Sequence, residues 1–140
     1  MQTDFKAEYK TIINASLEKV WDALTHPETI KQYFFGTQLI TDWKIGSPVL
    51  FQGEWEGKSY NDKGTVLEYI ENEKLAYSYL STWSGKEDQP ENYLWVYYEV
   101  NRIEDKTELT VQQSNYDQER AIDSVDNWEA LIDEMKKLIE

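Results

Sequence analysis

An α+β fold is predicted, with an antiparallel sheet packed against one long C-terminal helix. Three observations predict it. Apolar and polar residues alternate with a period of two near the start and through the middle of the chain. Short polar turns separate these runs. Apolar residues then recur at spacings of three and four to the end of the chain.

Each element follows from its residues. Phe5, Ala7, Tyr9, Thr11 and Ile13 alternate with Lys6, Glu8 and Lys10, as in a strand with one buried face. Ser16 caps a short helix carrying Leu17, Val20, Trp21 and Leu24. Pro27 opens a second one, with Ile30, Tyr33 and Phe34 on its apolar stripe and Gly36 to end it. From Thr37 to Asn115 strands alternate with the turns Gly46-Ser47-Pro48, Glu56-Gly57-Lys58, Glu71-Asn72-Glu73 and Glu104-Asp105-Lys106, and sequential antiparallel pairing is the simplest topology. Leu75, Tyr77, Tyr79 and Trp83 share one strand face, opposite Ala76, Ser78 and Thr82. Leu94, Val96, Tyr98 and Val100 share another face, as do Leu109, Val111 and Gln113. The polar run over residues 84–92 reads as a long loop. Ile122, Val125, Trp128, Leu131, Ile132, Met135, Leu138 and Ile139 define the last helix, which starts near Asp117, with acids at its N-terminal end and Lys136 and Lys137 near its C-terminal end. The predicted order is β-α-α-β-β-β-β-β-β-α.

Composition narrows the function. The 140 residues predict one domain, 1–140. With 14 basic against 27 acidic residues and a net charge of -13, no basic stripe is left for a phosphate backbone, so nucleic acid is not an expected partner. The chain has no Cys, which removes disulfides, thiolate nucleophiles and Cys-rich zinc sites. No apolar run is long enough to span a bilayer and no signal-peptide core is visible, so the expectation is a cytoplasmic protein without membrane insertion. The one His and scattered carboxylates supply no metal set, and Gly46-Ser47-Pro48 lacks what a phosphate loop needs, so neither metal nor cofactor is expected.

No catalytic residue is assigned. His26 precedes Pro27 at a helix start, where capping outweighs acid–base work. Asp42 reads as solvated surface, and Glu68 is the one carboxylate left open as a buried base. Phe51, Trp55, Tyr77, Tyr79 and Tyr98, with Trp128 and Ile132 of the last helix, would make an aromatic wall between sheet and helix. Core filling is the competing role of each ring. Ten Tyr against four Phe favour a lined cavity, because a buried phenol needs a hydrogen-bond partner that a dry core would not require. Tyr93, Trp95 and Tyr97 should point outward, packed against the long loop or a strand neighbour, or as the surface of a homodimer or another partner.

The run Ala15-Ser16-Leu17-Glu18-Lys19-Val20-Trp21-Asp22-Ala23-Leu24-Thr25-His26-Pro27-Glu28-Thr29-Ile30 resembles the opening of activator of heat-shock-protein-90 ATPase homologue-like (AHSA-type) proteins of the START/SRPBCC superfamily. Trp43-Lys44-Ile45-Gly46, Gly64-Thr65-Val66-Leu67-Glu68, Leu75-Ala76-Tyr77-Ser78-Tyr79, Thr107-Glu108-Leu109-Thr110-Val111 and Trp128 extend the resemblance over nearly the whole chain. Tyr33 stands where a Trp is frequent and His26 where an acid is frequent. The resemblance implies the helix-grip (START/Bet v-like) fold, a curved antiparallel sheet around the long terminal helix. It also implies non-enzymatic binding of a hydrophobic, aromatic or lipid-like small molecule in the space between them, in stress response or secondary metabolism. The ligand-binding set is then Phe34, Trp43, Phe51, Trp55, Val66, Tyr77, Tyr79, Val96, Tyr98, Val125, Trp128 and Ile132. The alternatives are a polyketide cyclase or aromatase-like enzyme, with Glu68 or a Tyr as its acid or base, and a chaperone ATPase co-factor acting by protein contact. The expectation from the 140 residues is the resembling domain alone, without the separate amino-terminal domain of the eukaryotic activator.

Overall fold

The sheet is built by tight turns placed where the sequence puts its polar punctuation. The structure, a computed structural model, describes residues 1–140. In chain order the elements are β1 (Ala7–Ile13), α1 (Leu17–Thr25), α2 (Pro27–Tyr33), β2 (Gln38–Ile40), β3 (Pro48–Trp55), β4 (Lys58–Ile70), β5 (Lys74–Tyr79), a 3-10 turn (Pro90–Asn92), β6 (Leu94–Ile103), β7 (Lys106–Gln113) and α3 (Gln118–Ile139). Glu56 and Gly57 both take positive φ, which is what a two-residue hairpin between Trp55 and Lys58 demands. Asn72 does the same in the turn that joins β4 to β5.

All seven strands form one antiparallel sheet in the order β1-β7-β6-β5-β4-β3-β2. This is the helix-grip arrangement. The neighbours run sequentially from β2 to β7, and β1 closes onto β7. The two short helices therefore carry the chain from one edge of the sheet to the other.

Side chains on the inner face fall into rows set by register. One row joins Val100 to Leu109, the next Leu75, Tyr98 and Val111, the next Val66, Tyr77, Val96 and Gln113, and the last Tyr79 to Leu94. Gly64 in β4 is obligatory. A Cβ there would lie 1.5 Å from the Ser78 carbonyl oxygen, just before the register shift between Val66 and Glu68.

Three caps start the helices. Ser16 Oγ accepts from the Lys19 N–H, His26 Nδ1 from the Glu28 N–H at 3.3 Å, and Asp117 from the Arg120 N–H at 2.8 Å. At its C-terminal end α3 buries Ile132, Met135 and Ile139 with Ile13, Val20 and Leu24 in the core. Each such side chain contributes about 1.5–3 kcal/mol by leaving water. Lys136 Nζ donates to Thr11 Oγ1 at 2.6 Å, pinning this end to β1.

Three local expectations are corrected. Phe5 is not in the first strand: it takes φ +50° and is largely exposed, and pairing begins at Ala7. Trp83 does not share the Leu75, Tyr77 and Tyr79 face, because β5 ends at Tyr79 and Asp62 captures the Thr82 N–H at 2.7 Å, turning the chain out of the sheet. Trp83 is 53% exposed and packs on Tyr60. On α3, Ile122 and Leu138 face solvent, and the N-terminal half buries the small residues Ala121 and Ser124 instead.

Candidate functional site

Small side chains at one end of α3 leave a space that the large ones fill at the other. A cavity of ≈ 940 Å³ lies between the N-terminal half of α3, the end of α2 and the inner face of β3, β5, β6 and β7, and 13 of its 23 lining residues are hydrophobic. Its floor is the last two rows of the sheet, Tyr77, Val96 and Gln113, then Tyr79 and Leu94. Phe34 at the end of α2 stacks on Phe51 of β3, which closes one side. Trp128 and Leu131 descend from α3 on the other. The mouth carries Phe35, Trp83, Tyr116 and Arg120. A space of this size suits a drug-sized or lipid-sized body, for which pockets run roughly 300–1,000 Å³.

The polar groups in the wall are few and mostly fixed. Trp128 Nε1 donates to Gln113 Oε1 at 2.9 Å, and the Tyr79 hydroxyl donates to the Asp62 carboxylate at 2.5 Å. The Tyr33 hydroxyl donates to the Ala23 carbonyl at 2.6 Å, and the Tyr116 hydroxyl to the Asn92 carbonyl at 2.7 Å. Burial raises the pKa values of Tyr33, Tyr77, Tyr79 and Tyr98 above the ordinary phenol value of 10.0, because a phenolate would lose its hydration there. For Tyr79 the neighbouring Asp62 charge adds to the rise. All four phenols therefore stay neutral at physiological pH.

Of the twelve residues that the sequence nominates, Phe34, Phe51, Tyr77, Tyr79, Val96 and Trp128 line the cavity. The other six are placed elsewhere. Trp43 stacks on Tyr69 with centroids 5.6 Å apart, donates its Nε1 to the Thr25 carbonyl at 3.0 Å, and borders only a ≈ 10 Å³ void shared with Tyr98. A void that small holds at most a single water. Tyr98, Val66 and Ile132 are core residues, and Val125 is half-buried off the wall. Trp55 is a clear correction: it sits at the end of β3, 50% exposed and edge-on to Phe35 outside the cavity. Trp55 is the last residue of β3, paired with Lys58 across the two-residue turn at the hairpin's end.

Glu68 also lies outside the site. It pairs with Lys74 at 3.1 Å across β4 and β5, both side chains well exposed. Asp42 is exposed and accepts from the Lys44 N–H, which, with Ser47, lowers its pKa. His26 serves as a cap. No three His, Asp or Glu side chains come together as a metal set. On the outer face Trp95 and Tyr97 stack at 5.3 Å and 13°, with Lys6 over Trp95, and the Tyr97 hydroxyl donates to Glu99. Tyr93 lies just before β6, its hydroxyl donating to Asp88 and its pKa pushed up to about 12 by burial and that carboxylate.

Asp62, Phe35, Trp83, Tyr116 and Leu131 were missed. For Gln113 and Ser124 a signal existed: each is a polar residue on a periodic apolar face, which is where a cavity needs a hydrogen bond. Asp62 gave none, since its partner Tyr79 is remote in sequence.

The family model described as activator of Hsp90 ATPase homolog 1-like protein matches residues 14–140. The chain belongs to this family. Among solved structures, this family member is similar to the protein ChR145 from Cytophaga hutchinsonii, with 42% identity, TM-score 0.84, and coverage of 99% of this chain and 95% of that one. It shares its fold with the Aha1 dimer of Colwellia psychrerythraea (17% identity, TM-score 0.74, 96% of each chain) and with CalU16 from Micromonospora echinospora (19% identity, TM-score 0.77, 95% and 73%). No curated protein matches the chain. No helix of this family member is long and apolar enough to cross a membrane.

Proposed function

We propose that the protein binds a hydrophobic small molecule, flat and ring-bearing or lipid-like, between the inner face of the sheet and the N-terminal half of α3, without turning it over. The observation that carries this reading is the ≈ 940 Å³ cavity, whose wall joins Phe34, Phe51, Val96 and Trp128 to the phenols of Tyr77 and Tyr79. Rings of this kind favour flat apolar bodies, and a few fixed polar groups orient them. Against an enzyme stand two facts. Glu68 faces Lys74 away from the cavity, and the cavity phenols are held too firmly protonated to act as bases.

An amide NMR titration with sterols, fatty acids and flavonoid-like aromatics tests the reading. Saturable shifts should cluster at Phe51, Tyr77, Tyr79 and Trp128, and Leu131→Trp, which fills the space, should weaken them about tenfold. If no compound moves those amides, the cavity is not a binding site. A second reading, contact with another copy or a chaperone through Tyr93, Trp95 and Tyr97, is favoured by the stacked pair half-exposed on the outer face. It predicts that Trp95→Ala with Tyr97→Ala changes the sedimentation of the protein.

A further inference from the structure

The cavity has a hydrogen-bond polarity as well as a shape. Asp62 is only 8% exposed, and none of the five ion pairs of the protein includes it. Its neighbour Lys63 is committed to Asp88 at 2.5 Å. Both oxygens of the Asp62 carboxylate are met by donors, the Thr82 N–H on one and the Tyr79 hydroxyl on the other. A phenol has a single proton. Once that proton is given to Asp62, the Tyr79 oxygen has only lone pairs left, to be met by the neighbouring Ser81 hydroxyl and by a donor in the cavity it lines. The charge-assisted bond also draws the Tyr79 proton toward Asp62 and leaves its oxygen a better acceptor.

The acceptor character belongs to the Tyr79 end of the cavity, and donors stand elsewhere in the wall. Tyr77, whose hydroxyl lies beside that of Tyr98, can donate or accept. Gln113 keeps its amide donors free while its oxygen holds Trp128. At the mouth, Arg120 is stacked on Tyr116 and faces Asp117 at 3.7 Å, and Lys86 also sits over the Tyr116 ring. The charged lining is thus one cation already engaged, Arg120, against two carboxylates, Asp123 and Glu134, on a chain of net charge -13. A carboxylate head seated at Tyr79 would meet a lone pair, with the buried charge of Asp62 directly behind it.

We propose that the polar end of the ligand is a neutral or cationic hydrogen-bond donor, a phenol, alcohol or amine delivered to the Tyr79 oxygen, and that carboxylate-headed ligands are rejected. The proposal rests on the cavity-binding reading above. Its test is a set of matched probes on one skeleton, 2-naphthol, 2-methoxynaphthalene and 2-naphthoate, titrated at neutral pH with the amide signals of the cavity wall as readout. The donor, 2-naphthol, should bind about tenfold more tightly than the other two, the net worth of one hydrogen bond. In Tyr79→Phe the advantage of 2-naphthol over 2-methoxynaphthalene should shrink to about threefold or less, with 2-methoxynaphthalene unchanged. Asp62→Asn is the independent second variant. An Asn amide can donate to Tyr79 and free its proton, so 2-methoxynaphthalene should gain on 2-naphthol.

Equal or tighter binding of 2-methoxynaphthalene or 2-naphthoate by the native protein overturns the donor assignment and leaves cavity binding standing. If none of the three moves the cavity amides, both fall.

Discussion

The two ends of α3 meet the same sheet in opposite ways. The C-terminal end sends Ile132, Met135 and Ile139 into the packed core, whereas the N-terminal half presents Ser124 and leaves ≈ 940 Å³ open beneath Trp128. Rows of the sheet mark the change. Where Leu75, Tyr98 and Val111 pair the helix is in contact, and where Tyr77, Val96 and Gln113 pair it has drawn away. Trp128 stands at the boundary, edge-on to Tyr98 with centroids 5.6 Å apart. One end holds the fold together and the other is free to serve a ligand.

Alkaline titration should give the largest effect. Tyr98 lies in the packed core, Tyr33, Tyr77 and Tyr79 reach the cavity wall, and all four have raised pKa values. A raised pKa in the folded state adds stability that is complete below the unfolded value of 10.0 and is lost as pH climbs through the folded value. Phenolate absorbance from these groups should therefore appear together with loss of near-UV dichroism, above pH 10. Cavity-wall phenols ionising early in a protein still folded would mean that the wall is as wet as a surface, and the contrast between the ends would lose half its force.

Next in size is a pair of truncations. Met135→Ala removes a fully buried side chain and should cost about 2–5 kcal/mol in denaturant unfolding. Leu131→Ala, one helical turn earlier on the cavity side, only enlarges a space already open and should cost about 1 kcal/mol or less. Equal losses would mean that the two ends are packed alike.

How much of this contrast is legible in the sequence depends on the kind of information each part needs. Periods of two and of three and four gave the strands and α3, because alternate burial is a local consequence of backbone geometry. The turns at Glu56-Gly57 and Glu71-Asn72 gave the sequential pairing for the same reason. Which inner-face rings border empty space is a different question. Tyr98 and Tyr77 are both buried inner-face rings of neighbouring strands, yet only Tyr77 borders the cavity. Of the small residues near the start of the helix Ser124 faces that opening, where the periodic apolar pattern points to Ile122 and Val125 instead. Trp43 and Trp55 illustrate the same limit from both sides, one drawn into the core against Tyr69 and one left outside at a hairpin. The residues beside the long loop over 81–93, Tyr79 and Leu94, are those the sheet brings to the open end.

Gln113 offers the smallest and sharpest test. It occupies the row of Tyr77 and Val96, at a position where the alternation of Leu109 and Val111 would place another aliphatic side chain. A Leu there would bury more apolar surface, and in a packed core it would stabilise the protein. Here it would strand the Trp128 N–H, which now donates to Gln113 Oε1 at 2.9 Å. A half-buried donor that loses its partner costs about 1 kcal/mol or more unless water reaches it, and water can enter an open cavity. Gln113→Leu should therefore shift the denaturation midpoint by about 1 kcal/mol or less, while the indole N–H resonance of Trp128 moves toward its solvent-exposed position and exchanges faster. Marked stabilisation with a protected indole proton would show that the helix had closed onto the sheet and that the open end depends on this one polar residue.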